Sequence, residues 1–113
     1  MISLNEEREE ERQFKQLKHE LADFALKHLN DHYGKALKEQ PILQKIAHKW
    51  EDSKMLTEDT DMTADCKIIY LNILSQQRKW LLKKNKRNDK IDESIIRRHL
   101  HHLDMEEERI RFL

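Results

Sequence analysis

Seven histidines and a single cysteine are the side chains in this sequence best suited to metal, proton or nucleophile chemistry. His28 and His32 stand four residues apart, a spacing that puts both rings on one helix face at metal-ligand distance. His99 and His102 are three apart, with His101 beside them. The companion ligands are missing. No Glu-x-x-His of a di-iron bundle occurs, nor the His-Glu-x-x-His of a zinc hydrolase. Cys66 is alone, so neither an intrachain disulfide nor a thiolate cage can form. The expectation is no metal and no cofactor. Imidazole does change charge near neutral pH, and two close rings resist double protonation, so His28, His32, His99 and His102 are candidate proton-sensing residues. Solvated or hydrogen-bonded histidines with no signalling role are the alternative, and spacing alone does not choose between the two.

Catalytic machinery finds little footing. One glycine cannot build a phosphate-cradling loop, and no strand pattern is present to carry a nucleophile elbow. Asp92 and Glu93 read as the start of a helix rather than an acid/base pair. The expectation is therefore a chain that is not an enzyme. Lysine plus arginine and aspartate plus glutamate each number 22, for zero formal charge, yet the charges are clustered. Residues 6–12 hold five acids, and residues 51–65 hold six against Lys54. Arg78, Lys79, Lys83, Lys84, Lys86, Arg87 and Lys90 form a basic run opposed only by Asp89. Such a run suits anionic lipid headgroups, with a merely solvated turn as the alternative. Arg97, Arg98, His99 and His101 could face phosphate, but the acidic run 104–108 on the same helix would repel it, so no nucleic-acid partner is expected.

The elements that must position these groups are helical. Charged residues make up 39% of the chain against 37% hydrophobic, valine is absent, and there is one Gly and one Pro. That mixture feeds solvated helix faces and starves a sheet. The expected fold is all-α, a small antiparallel helical bundle or two packed hairpins of about four helices, in one domain spanning 1–113. The spacing predicts helices near 13–33, 41–55, 62–84 and 92–112, with residues 1–12 prone to fraying. Phe14, Leu17, Leu21, Phe24 and Ala25 form the first stripe, which His28 and His32 continue. Gly34 is expected as a left-handed terminator, residues 35–40 as a connector, and Pro41 as the first residue of the second helix. Ile42, Ile46, Ala47 and Trp50 line that helix. Thr57, Asp59, Thr60, Asp61 and Thr63 all qualify as the next N-cap. Cys66, Ile69, Ile73 and Trp80 mark the third stripe, flanked by Leu71, Leu74 and Leu81, with Cys66 an inert core thiol. Trp50 and Trp80 are expected as core anchors on two facing helices. Asp92 caps the fourth helix inside an Ile91–Ile96 hydrophobic staple, and Ile96, Leu100, Leu103 and Ile110 carry its apolar face.

No window approaches the roughly 18–20 apolar residues of a bilayer span. The opening MISLNEEREEERQ turns acidic at once, unlike a secretory leader.

The last third of the chain carries a resemblance. Leu71-Asn72-Ile73-Leu74-Ser75-Gln76-Gln77-Arg78 and Leu81-Leu82 are followed by Ile91-Asp92-Glu93, Ile95-Ile96-Arg97 and Leu103-Asp104-Met105-Glu106-Glu107. In order and spacing this resembles the extreme C-terminus of bacterial monovalent cation (sodium)/proton antiporters. There a helix with a Gln-Arg or Glu-Arg pair precedes an Ile-Asp/Ser-Asp-Glu cap, and the chain closes on a Leu-Asp-Leu-Glu-Glu-like run. Met105 stands where that run has its second leucine. The match is close over 68–109 and looser over 17–55. It implies a cytoplasmic regulatory or assembly domain at the inner face of the plasma membrane, with ion exchange done by a transmembrane part of the same polypeptide. That membrane part is then the expected partner, along with a second copy in a homodimer and anionic lipid headgroups. A free-standing helical protein–protein interaction module is the alternative.

Overall fold

The computed structural model describes residues 4–51, 63–86 and 91–112. They form four helices and, among the described residues, no strand: α1 (Leu4–Glu39), α2 (Pro41–Glu51), α3 (Ala64–Lys86) and α4 (Glu93–Arg111). The all-α bundle that the composition demands is the fold observed. At 1.5 Å per residue, 36 residues of straight helix would run about 54 Å, and the kink at Tyr33 shortens the reach of α1. That helix sets the long dimension of the molecule, 49 Å against 28 and 22 Å across.

The other helices pack along that spine. α3 runs antiparallel to α1, as three hydrogen bonds along their length record. Lys84 Nζ donates to Glu20, Gln77 Nε2 to the Leu21 carbonyl, and Asn72 Nδ2 to the Tyr33 hydroxyl. Leu17, Leu21, Ala25 and Leu29 of α1 meet Ile69, Ile73, Leu74 and Leu81 of α3 and Ile95, Ile96, Leu103 and Ile110 of α4 in one core. α2 closes it with Leu43, Ile46 and Ala47. Trp50 and Trp80 pack at its margin, half-buried, instead of anchoring its centre.

Helix ends follow the capping chemistry. Asp92 accepts from the Ser94 N–H at 2.9 Å, with Ile91 packed on the core and Ile96 buried beyond it, completing the staple. Among the candidate caps for α3, Thr63 fills the position, its Oγ1 taking the Cys66 N–H at 3.2 Å. Thr57, Asp59, Thr60 and Asp61 lie outside the described residues. Pro41 opens α2 directly after Gln40, whose carbonyl receives the Leu43 and Gln44 N–H groups. Cys66 is fully buried and donates its thiol to Gln40 Oε1.

The end of the first helix departs from expectation. α1 does not stop at Gly34, and residues 35–39 are helix rather than connector. A kink at Tyr33 (φ −131°, ψ 27°) replaces the terminator, and the helix resumes beyond it. Tyr33, Ala36 and Leu37 pack on the core, and Gln44 Nε2 donates to the Leu37 and Lys38 carbonyls. Those contacts outweigh the propensity cost of one glycine, about 1 kcal/mol. Residues 4–12, the stretch prone to fraying, are part of the helix. Gly34 then has no conformational duty, and a β-carbon there would touch nothing within 4 Å. Gly34→Ala should raise stability by about 0.5–1 kcal/mol in urea unfolding. A loss of stability would restore the left-handed role.

Candidate functional site

The fourth helix decides where polar chemistry enters the core. Positions 96, 99, 103, 106 and 110 alternate three and four apart, the spacing of a single buried stripe. Ile96, Leu103 and Ile110 suit that stripe, whereas His99 and Glu106 are polar and buried all the same, at 4% and 6% exposure. The apolar face of Ile96, Leu100, Leu103 and Ile110 leaves Glu106 out; the structure places it inside. Gln77 of α3 joins them at 4% exposure.

These three side chains line a cleft of about 110 Å³ where all four helices converge. Lys18, Leu21 and Ala22 come from α1 and Trp50 from α2. Tyr70 and Leu74 come from α3, and His102 and Leu103 from α4. The Trp50 and Tyr70 rings stack 5.4 Å apart at 4°, giving one flat aromatic wall. The Tyr70 hydroxyl donates to Glu106 Oε1 at 2.9 Å. Burial, then the adjacent carboxylate, hold the Tyr70 phenol well above its ordinary range, with Arg109 acting in the opposite sense. The second oxygen of Glu106, and Oε1 of Gln77, have no hydrogen-bond partner and are closed to solvent. A buried acceptor left in that condition costs about 1–3 kcal/mol.

His99 lines the cleft too. Its Nε2 faces the Phe14 carbonyl at 3.1 Å, and because a carbonyl can only accept, that nitrogen carries the proton. The ring also stacks on Phe14 at 4.2 Å and 13°. Burial lowers its pKa to about 4, against the help of the Phe14 bond, and the charges of His102, Arg98 and Lys18 push the same way as burial. His102 meets Phe14 edge-on at 5.7 Å and is itself lowered, first by burial and then by Arg98, His101 and Lys18. Arg98 stacks its guanidinium 4.1 Å from the centre of the same Phe14 ring.

The four histidines proposed as a sensor thus fall into two separate pairs. His28 and His32 sit about 20 Å further along α1 from Phe14, with ring centres 4.3 Å apart. Partial burial, then His32, lower the pKa of His28, with Asp31 opposing. His32 is exposed and His28 half-buried, so only His99 of the four is a core residue. Among the described residues, no group of three or more His, Cys, Asp or Glu side chains is placed to hold a metal ion.

The basic run is likewise divided. Arg78 turns to α4, donating to Asp104 and, at 2.7 Å, to Glu107, which also receives Arg111 at 2.8 Å. Its bond to Glu107 is the main reason the Arg78 pKa rises, and the same bond leads in lowering that of Glu107. Lys84 pairs with Glu20 and lies 4.9 Å from the centre of the Trp80 ring. Lys79 and Lys83 face solvent. The Lys86 side chain, Arg87 and Lys90 lie outside the described residues.

The sequence had signalled Arg78 and His99 by type; it missed Glu106, Gln77 and Tyr70 as a set. No described helix is long and apolar enough to cross a membrane. Comparison with family models, curated proteins and solved structures finds no match to this chain.

Proposed function

We propose that this chain is the cytoplasmic regulatory and assembly domain of a monovalent cation (sodium)/proton antiporter, whose membrane part performs the exchange. One observation carries the reading. Residues quoted for the resemblance from separate stretches of sequence meet in a single α3–α4 hairpin: Arg78 from the Gln-Arg run, and Asp104 and Glu107 from the closing Leu-Asp-Met-Glu-Glu run. Asp92, from the central Ile-Asp-Glu stretch, caps the second arm of that hairpin. The resemblance therefore falls on residues that hold a structure together, as a family pattern at the end of a chain should. The domain's task is to pack on the membrane part, on a second copy, or on lipid headgroups, and so to set assembly or gating. Its histidines are the means by which it would register pH.

The native coding frame tests this directly. Upstream of the Met1 codon the expected result is a continuous frame encoding roughly a dozen hydrophobic spans with Lys/Arg-rich cytoplasmic loops. Inverted membrane vesicles of the parent protein should then show sodium-driven proton movement, with its pH profile shifted when this domain is removed. A stop codon with a ribosome-binding site before Met1 would leave a free-standing interaction module, for which the four-helix cleft is the natural contact surface.

A further inference from the structure

We propose that His28 and His32 form a two-point chelating site for a transition-metal cation that prefers square geometry, Cu(II) above all. The two residues lie about one turn apart on α1, and their ring centres are 4.3 Å from each other. That distance selects the metal. A first-row cation about 2.0–2.1 Å from an imidazole nitrogen lies about 3.2 Å from the ring centre, so two rings at a right angle around it have centres about 4.5 Å apart. A tetrahedral angle would spread them to about 5.2 Å. The pair therefore fits two adjacent corners of a square, the arrangement Cu(II) and Ni(II) take with nitrogen and oxygen ligands, and Cu(II) stands highest in the affinity order.

The ring planes are 37° apart, and turning each ring about its Cβ–Cγ bond, a soft torsion, aims one nitrogen of each at a common point. Half-buried His28 packs beside Phe24 and Tyr33, each with its ring centre 6.1 Å away, while His32 is exposed. One ligand is thus held by packing and the other closes on the ion from solvent. Both rings touch aromatic neighbours, and among the described residues their nitrogens make no hydrogen bond. Partial burial, then His32, lower the pKa of His28, so at neutral pH a proton competes weakly for its lone pair. Asp31 acts on the same ring with a favourable charge. No third His, Cys, Asp or Glu among the described residues completes the sphere, so water takes the other corners and the site stays open. This inference is independent of the transport reading.

Cu(II), added as the chloride to the full chain at pH 7.5, is the probe, with amide and imidazole resonances followed by NMR. Paramagnetic broadening is expected first at His28, His32 and the turn between them. It should saturate at one ion per chain, with half-saturation at tens of micromolar or below. His32→Gln removes one arm of the chelate and should weaken binding at least about tenfold, because the second nitrogen closes on an ion already held nearby. His32 is exposed, so this variant keeps the core intact. The remaining histidines supply the competing result. Broadening centred on His99–His102 or on another histidine, equal affinity in His32→Gln, or no saturation at millimolar Cu(II) would overturn the assignment.

Discussion

Lowering the pH from 7.5 to 4.5 should remove about 2–3 kcal/mol of folding stability through His99 alone. Its pKa is 6.5 in an open chain and about 4 in the folded protein, so between those values the unfolded state binds the extra proton. The neutral ring contributes stability in full above pH 6.5, and that contribution drains away as the pH falls toward 4. Lowered values at His28 and His102 pull in the same direction. Glu107, whose carboxylate is favoured by Arg78, adds its own loss only at more acidic pH. Urea unfolding of the wild type and His99→Gln at several pH values isolates the effect. Glutamine keeps a donor for the Phe14 carbonyl but does not titrate, so the variant's stability should fall much less than the wild type's from pH 7.5 to 5, the remainder coming from His28 and His102. Parallel curves for the two proteins would show that His99 is not the group responsible.

The second large effect is expected at Arg78. Reversal to Glu places a third negative charge against Asp104 and Glu107 and strips both of their shared donor. Arg78 is 31% exposed and Glu107 23%, so the pair lies between a solvent-screened surface bridge and a buried one. A cost of about 2–3 kcal/mol follows, larger than the usual surface value. The double reversal Arg78→Glu with Glu107→Arg should recover at least about half of it, which a double-mutant cycle would measure. If the single reversal left stability unchanged, the α3–α4 hairpin would rest on its apolar contacts alone, and the observation behind the antiporter reading would lose its weight.

Most of the fold was legible because helix faces are local. The Asp92 cap, the Ile91–Ile96 staple, Pro41 at the head of α2 and the buried Cys66 all follow from residues within a turn or two of each other. The polar core residues were also written in the spacing. His99 and Glu106 fall on the same three-four alternation as Ile96, Leu103 and Ile110, and Gln77 falls with Ile73 and Leu81. Residue type hid them, since a carboxylate is rarely placed inside without a partner in view. That partner, Tyr70, lies 36 residues away and is found only when the register between α3 and α4 is known. No local pattern sets that register. The continuation of α1 past Gly34 was illegible for a similar reason: Gln44 and the contacts of Tyr33, Ala36 and Leu37 reach back from the packed structure.

Gln40 is the only residue between α1 and α2, and the Cys66 thiol at the start of α3 is bonded to its side chain. Such a joint has no slack to pay out. A pull or twist applied beyond Glu51 would not be absorbed by a loose loop. It would pass through that elbow into the last turns of α1, beyond the kink at Tyr33, and, by way of the thiol, into the first turn of α3.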